Sequence, residues 1–418
     1  MTQLDARPAG AGRPFRVAVV GAGPAGLYTA DGLTFDTDDV RVDLIERLAS
    51  PFGLLRFGVA PDHLAIRGAA SALQEVLDRP AVRLFCNVEV GTTVSVETLR
   101  QRYDAVVYAT GADADRTLGV LGEELAGSVS ATELVKWYTG HPEAGGFDLS
   151  STRSVVVVGA GNVALDVTRM LVKDPRALEG TDLPEDVLVA LRRSAVSDVH
   201  ILVRRGPEHA RFSTKELREF DQLDGVDLVV DPGELGAVPT KGLSPVVRRN
   251  LTQFGEWAAE ERTGAPRRVH FHFRTSTVAI EGDGAVSAVR ASRAHSGDAQ
   301  EAVFAADLVV RAVGYRSRAI PGIPFAVDTH TIPHEDHRVL RGQEPSVGEY
   351  AVGWAKRGPT GVLGRSRSDA DDTVGSIRAD RDQLIARGPD PGGAADLLSG
   401  DPPSVVPLTR TGRRPASS

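Results

Sequence analysis

Uninterrupted apolar runs, not alternating ones, set the rhythm of the chain. Val17-Ala18-Val19-Val20, Val155-Val156-Val157-Val158 and Val199-His200-Ile201-Leu202-Val203 are short and rich in β-branched residues. Such runs predict strands covered on both faces, as in a parallel sheet, rather than half-solvated antiparallel strands. The first two runs lead through glycines into helix-period stretches, so the pattern is strand, tight turn, helix, used twice. Two further apolar runs, in Tyr103–Ala112 and in Ala306–Tyr315, share a D-φ-φ-φ-x-A-x-G form and end in a glycine that permits close backbone approach. The order of turn, crossing strand, second turn, second crossing strand and a later return predicts an α/β fold. It has two Rossmann-like dinucleotide-binding domains, the second inserted into a discontinuous first. The boundaries read as 14–111 and 321–386 for the outer domain and 112–320 for the inserted one.

The turns themselves carry the chemistry. Gly21-Ala22-Gly23-Pro24-Ala25-Gly26 and Gly159-Ala160-Gly161-Asn162-Val163-Ala164 each open a helix where backbone N–H groups and the helix dipole can hold a pyrophosphate. The strand after each helix distinguishes the two. After the first turn, Val40–Glu46 is a short strand ending in a carboxylate about twenty residues past the last glycine, the position for an acid that accepts from ribose hydroxyls. Glu46 therefore marks an unphosphorylated ribose. After the second, the strand ends in Arg204-Arg205-Gly206-Pro207, and two guanidinium groups in place of the acid suit a 2′-phosphate. The pair reads as FAD in the first site and NADP(H) in the second.

With the return segment, the chain resembles a specific family, the adrenodoxin-reductase type of ferredoxin–NADP reductase, over about residues 15–375. The matching stretches are Pro51–His63, Gly161–Val167, Arg204–Pro207, Thr214–Glu219 and Gly353-Trp354…Arg357-Gly358-Pro359-Thr360-Gly361-Val362. The resemblance implies that FAD, already expected at Gly21, Gly23 and Gly26, lies against Ala25, Glu46, Leu54, Val90, Trp354, Gly361, Val362 and Leu363. It implies NADP(H) at Ala160, Gly161, Asn162, Val163, Arg204, Arg205, Glu216 and Gly361. Thr360 and the amides after it would face the electron-rich edge of the flavin, and Trp354 would pack beside the ring. Leu54 and Val90 offer no polar side-chain chemistry, so each is equally a core residue. His63 and Asp166 resemble a histidine and an acid near the cofactors. They are expected in a supporting role, because hydride transfer needs geometry more than a base.

Composition narrows the rest. The chain has 418 residues, 41% of them hydrophobic, and a formal charge of −8, which describes a globular enzyme without a nucleic-acid partner. No apolar stretch approaches a membrane span and no leader is visible, so cytoplasmic work is expected, and the expected state is a monomer. Cys86 is the single cysteine. A redox dithiol or a four-cysteine cluster is therefore impossible, and no metal is expected. Electrons must leave the flavin directly for an external one-electron carrier, a ferredoxin-type iron–sulfur protein by the family resemblance. Such carriers are usually acidic, and candidate docking cations are Arg248, Arg249, Arg262, Arg267 and Arg268. A flavin monooxygenase and a non-catalytic nucleotide-binding module are the alternatives. The helical pattern runs to about Ala386, after which 387–418, rich in Pro, Gly, Arg and Ser, reads as a disordered tail.

Overall fold

The computed structural model describes residues 13–64, 68–235, 242–295, 298–361 and 363–388. They form two compact units, one comprising 13–56, 68–114 and 316–388, the other 57–64 and 115–315. Residues 57–64 pack with the second unit, although the sequence pattern assigns 14–111 as one stretch to the first domain.

In chain order the first unit contributes β1 (Phe15–Val20), α1 (Pro24–Thr34), β2 (Val40–Ile45), β3 (Val82–Phe85) and β4 (Ala105–Tyr108). The second contributes β5 (Ser128–Ser130), α2 (Ala131–Thr139), β6 (Ser154–Val158), α3 (Asn162–Val172), β7 (Asp198–Leu202), α4 (Thr214–Arg218), β8 (Val226–Val230) and α5 (Pro245–Ala259). It continues with β9 (Arg267–His272), β10 (Thr275–Glu281), β11 (Ala288–His295), β12 (Asp298–Ala305) and β13 (Leu308–Arg311). The chain then returns to the first unit as β14 (His334–Glu335), β15 (Arg338–Arg341), β16 (Glu344–Ala351), α6 (Trp354–Arg357) and α7 (Leu363–Ala386).

The first unit's sheet has the order β14-β15-β16-β4-β1-β2-β3. Its five strands from β16 to β3 run parallel, and β14 to β16 are antiparallel. The second unit's main sheet is wholly parallel in the order β5-β13-β6-β7-β9-β8. The apolar runs of the sequence become the central strands of these sheets. Val17, Val19, Val155, Val156 and Val157 have no exposed surface, each contributing on the order of 1.5–3 kcal/mol by leaving water.

Each face of the second sheet is covered differently. Val155, Val157, Ile201 and Val269 join α3, α5 and the aromatic group Phe212, Phe220, Phe254, Trp257, Phe271 and Phe273. Val156, Val158 and Leu202 instead join Ile280 and Val289 of the antiparallel three-stranded sheet β10-β11-β12. Among the described residues no helix is long and apolar enough to cross a membrane.

Candidate functional site

Helix N-termini leave backbone N–H groups without intrahelical partners, and most chains satisfy them with side chains. Ser130 and Ser213 do this for α2 and α4 through Oγ. The helices after the two glycine turns do not obey that rule. Gly23 caps α1 and Gly161 caps α3, and neither supplies a side-chain acceptor. Gly68, Pro184 and Gly353 also cap helices without a side-chain acceptor, but Gly23 and Gly161 differ in belonging to the two strand–glycine turn–helix motifs, where an external anion such as a dinucleotide pyrophosphate fits the open donors.

At the first turn the glycines are required by contact. Gly21 has φ +104°, and a Cβ there would lie 2.5 Å from the Ala109 carbonyl oxygen. A Cβ on Gly26 would lie 2.0 Å from the Gly21 oxygen, whereas one on Gly23 would find nothing closer than 3.9 Å. Glu46 comes directly after β2 and is buried. Its Oε2 accepts from the Ala22 N–H at 2.9 Å and its Oε1 from the Leu48 N–H at 2.9 Å. A carboxylate oxygen has further acceptor capacity, so Glu46 can hold the turn and still receive ribose hydroxyls. Burial raises its pKa, and the two backbone donors oppose that rise. The nearby Cys86 thiol is buried and pushed up to about 12 by burial and by Glu46, which denies it thiolate chemistry.

The return segment belongs to the same unit as this turn. Gly353 has φ +73°, and a Cβ there would sit 2.7 Å from the Cβ of Ala25, so β16 ends directly on the first glycine turn. Asp369 of α7 fixes that end: its Oδ2 accepts from the Gly353 N–H at 2.6 Å, and its Oδ1 pairs with the buried Lys356 ammonium. Trp354 is half-buried at the start of α6, Leu363 is half-buried at the start of α7, and Gly361 is exposed with φ +87°. The Thr360 N–H donates to the Gly358 oxygen at 2.8 Å. Val90 is buried in the apolar cluster around Tyr108, and Leu54 is half-buried in a one-turn helix. Val362 lies outside the described residues.

The second turn is braced from α4. Asn162 Oδ1 accepts from the Ser213 N–H at 2.8 Å, and the Arg211 N–H donates to the Ala160 oxygen at 2.7 Å. A Cβ added to Gly161 would meet nothing within 4 Å. Ala160 and Val163 are half-buried, with their inner faces on the unit's core. Arg204 and Arg205, just past β7, are exposed, and neither guanidinium has a hydrogen-bond or ion-pair partner among the described residues. The buried Oε2 of Glu216 likewise has no protein partner. Two unspent cations and an unspent acceptor beside an uncapped helix fit a phosphorylated nucleotide.

His63 and Asp166 do come together. His63 Nε2 lies 2.9 Å from Asp166 Oδ1, and Nδ1 lies 3.4 Å from Glu219 Oε1. Arg169, 1% exposed, binds Asp62 through Nε at 2.9 Å and Nη2 at 2.8 Å, Asp166 at 2.8 Å and Glu219 at 3.1 Å. Lys173 reaches Asp62 at 2.9 Å. Three carboxylates thus face Arg169, Lys173 and His63, and the charges balance when the imidazole is protonated. Burial pulls the His63 pKa down, but Asp166 by hydrogen bond and charge, with Glu219, raises it. Asp62 is held far below the usual carboxylate range by Arg169 and Lys173 against its own burial. Sequence reasoning missed Asp62, Arg169, Lys173 and Glu219. A signal existed: Asp166, Arg169 and Lys173 recur at helical spacing on one face.

The expected docking cations fare less well. Arg268 is held by Asp198 through two hydrogen bonds at 2.7 and 2.8 Å, and Arg267 donates to the Val172 oxygen at 3.2 Å. Arg248 is exposed although one nitrogen binds the Leu243 oxygen, and Arg249 and Arg262 are exposed. Of these five cations only Arg268 is ion-paired among the described residues.

Comparisons with known proteins agree with this geometry. Residues 15–222 match the family model for pyridine nucleotide-disulphide oxidoreductases. The chain is 41% identical over 388 residues to NADPH-ferredoxin reductase FprA of Mycobacterium tuberculosis, covering 87% of this chain and 84% of that protein. It is 39% identical over 404 residues to the mitochondrial NADPH:adrenodoxin oxidoreductase of Mus musculus, covering 90% and 81%. Among solved structures, Mycobacterium tuberculosis FprA in complex with NADPH superposes with a TM-score of 0.85 at 38% identity, covering 92% of this chain and 90% of that one. Thioredoxin reductase of Lactococcus lactis, at 16% identity and a TM-score of 0.52, shares the fold alone.

Proposed function

The chain belongs to the family of NADPH–ferredoxin and NADPH:adrenodoxin reductases, and from that premise we propose how its residues divide the work of an FAD-dependent NADPH oxidoreductase that serves a ferredoxin-type iron–sulfur protein. The observation that carries the reading is one chain with two strand–glycine turn–helix motifs, the first leading to a tethered buried carboxylate and the second to a free arginine pair. FAD held at the first turn would supply the chemistry of accepting a hydride from NADPH and releasing single electrons to the carrier. The residues assigned here bind and orient.

Gly21, Gly23, Gly26 and the N–H groups opening α1 hold the flavin's pyrophosphate, and Glu46 receives its ribose. Ala25, Gly353 and Trp354 shape the wall beside the ring, with Gly361 and Leu363 close by and Leu54 and Val90 serving as packing. Ala160 to Val163 hold the second pyrophosphate, Arg204 and Arg205 the 2′-phosphate, and Glu216 accepts from the nucleotide through its unspent oxygen. His63 and Asp166 keep a proton and a fixed geometry within the Arg169 network, without acting on the hydride. Cytoplasmic work as a monomer is part of the proposal, and size-exclusion chromatography of the native protein tests the oligomeric part.

The decisive experiment is anaerobic mixing of the yellow holoprotein with NADPH. Bleaching should be rapid, reoxidation by oxygen slow and reoxidation by an added ferredoxin fast. Cytochrome c reduction should then depend on that ferredoxin and weaken with salt. Turnover of a disulfide substrate that survives Cys86→Ser, or a long-lived oxygen adduct in place of ferredoxin reduction, would overturn the assignment.

A further inference from the structure

One polar group is out of place in the second unit. The face of the parallel sheet that meets β10-β11-β12 is apolar around Val156, Val158, Leu202 and Val289, yet three histidines stand on it. His200 on β7 is in register with His270 on β9, and His272 comes two residues later on the same side. Their ligand nitrogens all lie within 4.8 Å of one another. The phenyl ring of Phe304 from β12 closes over His200 and His272, at centroid distances of 5.6 and 4.8 Å.

The partners of the six ring nitrogens are uneven. His270 Nε2 meets Asp198 Oδ1 at 3.1 Å. His272 Nδ1 lies 3.9 Å from Glu234 Oε1 and 3.3 Å from Arg293. His200 Nδ1 and His272 Nε2 face each other at 3.1 Å. His200 Nε2 and His270 Nδ1 have no partner among the described residues. From these positions we infer a divalent transition-metal site in which His200, His270 and His272 supply three imidazole ligands and water the fourth.

Three features of the geometry support it. Bonds of 2.0–2.1 Å in a tetrahedron put neighbouring ligand nitrogens roughly 3.3 Å apart, close to the 3.1 Å between His200 Nδ1 and His272 Nε2. Two carboxylates stand outside the triad, Asp198 on His270 and Glu234 near His272, in the carboxylate–histidine arrangement that orients metal-bound imidazoles. Each of those carboxylates also neutralises the adjacent cation, Arg268 or Arg293, so no unpaired positive charge opposes a dication. The rings now lie within 4° to 24° of parallel, so binding turns them about χ2, a broad and soft torsion for histidine. Neutral imidazoles without thiolates suit Zn²⁺, and Co²⁺ is its spectroscopic substitute. The sequence gives no hint of this site, because its ligands come from strands about seventy residues apart that only the sheet register brings together.

The test uses chelator-treated holoprotein titrated with Zn²⁺ and with Co²⁺. One equivalent of Zn²⁺ should bind per chain, and Co²⁺ should give the intense visible bands of four-coordinate geometry, lost when Zn²⁺ displaces it. The His200→Gln/His272→Gln double variant should bind Zn²⁺ about 100-fold more weakly or worse, beyond the 10–100-fold typical of losing an outer partner. It should keep its flavin and its reduction by NADPH. His63→Gln should bind as the parent does, which separates this site from the Asp62–Arg169 network. On the unaltered protein, Co²⁺-induced NMR shifts should centre on the amides of 198–202 and 267–272, a readout that needs no variant to fold. Absence of stoichiometric binding, equal affinity in the double variant, or shifts centred elsewhere would each overturn the inference.

Discussion

The two glycine turns differ in how much of their chemistry the protein has already used. At the first, Glu46 is buried and both its oxygens are bound to backbone N–H groups, while Gly21 and Gly26 are pressed against carbonyls. At the second, Gly159 is likewise pressed against the Ala312 carbonyl and Gly161, like Gly23 of the first, has room around it, but Arg204, Arg205 and Glu216 Oε2 have no partners of their own among the described residues. A site whose polar groups are satisfied and rigid before binding loses little entropy when its ligand arrives and suits a cofactor that stays. A site of exposed, unpaired charges suits a nucleotide that must come and go, because long side chains release as readily as they bind. The same local motif is thus set for retention in one unit and for exchange in the other.

The largest effects come from adding one methyl group at a crowded position of the first turn and at an open position of the second. Gly26→Ala puts a carbon 2.0 Å from the Gly21 oxygen, a backbone atom that cannot swing aside. The cost should exceed the roughly 1–3 kcal/mol usual for overpacking, and the purified protein should lose most of its FAD. Gly161→Ala meets nothing within 4 Å and its φ is −121°, so stability should change by no more than about 0.5 kcal/mol. Its flavin content should match the parent's. Its KM for NADPH should rise about tenfold, roughly 1.4 kcal/mol, because the methyl occupies the space facing the α3 amides. Flavin-to-protein ratios and steady-state kinetics measure both. Full FAD retention by Gly26→Ala would mean that the first turn is not the rigid cradle described here.

The legibility of the sequence divides along the same line. The turns, Glu46 and Arg204-Arg205 are read from contiguous residues, because one strand, one turn and one helix fix their geometry locally. The end of α7 at Ala386 is equally local. The Asp62–Arg169–Glu219 network is assembled from three separate stretches, and a sequence shows the helical face of Asp166, Arg169 and Lys173 but not what covers it. Arg268 reads as a free surface cation in the sequence; only the register of β9 on β7 places it opposite Asp198. The packing of 57–64 with the second unit is hidden for the same reason, since it rests on Phe57 against His141, the Thr139 hydroxyl on the Phe57 oxygen, and Asp62 and His63 in the Arg169 network.

The free arginines sharpen the contrast from the other side. Each charge-assisted contact to a 2′-phosphate is worth about 1.5–3 kcal/mol, so the pair can favour NADPH over NADH by roughly two to four powers of ten before non-additivity. In Arg204→Ala/Arg205→Ala most of that preference should vanish. The loss should fall on KM, because the phosphate is remote from the hydride and is held alike in ground and transition states. Neither arginine supports another residue through its side chain, so melting temperature and flavin content should hold. An unchanged NADPH-to-NADH ratio of kcat/KM would make these residues surface decoration.

The smallest effect tests whether the second unit has any preset group of its own. His63 is the candidate, because it stands among Asp166, Glu219, Asp62, Arg169 and Lys173. Burial lowers its pKa and Arg169 opposes protonation, but the hydrogen bond and charge of Asp166, with Glu219, leave it raised. A histidine whose folded pKa lies above its unfolded value of about 6.5 stabilises the fold fully below that value, and the contribution disappears as pH rises through the folded pKa. The His63 contribution should therefore be lost with rising pH above about 6.5, at no more than about 1.4 kcal/mol per pH unit, the limit for one proton. Asp62 is held well below the usual carboxylate range and titrates outside that window. Glu219 is raised by burial, with the Arg169 charge opposing. His63→Gln keeps a side-chain hydrogen-bonding group but removes the proton equilibrium, so the stability advantage of the parent over the variant, read from urea midpoints, should shrink from about pH 6 to pH 8, while His200, His270, His272 and His337, all lowered by burial, act alike in both proteins. The rate of flavin bleaching by NADPH should change far less than the Gly161→Ala KM does, since the imidazole holds its neighbours and does not act on the hydride. Parallel pH curves for the two proteins would show that the network does not keep His63 charged, and the second unit would then be preset by packing alone.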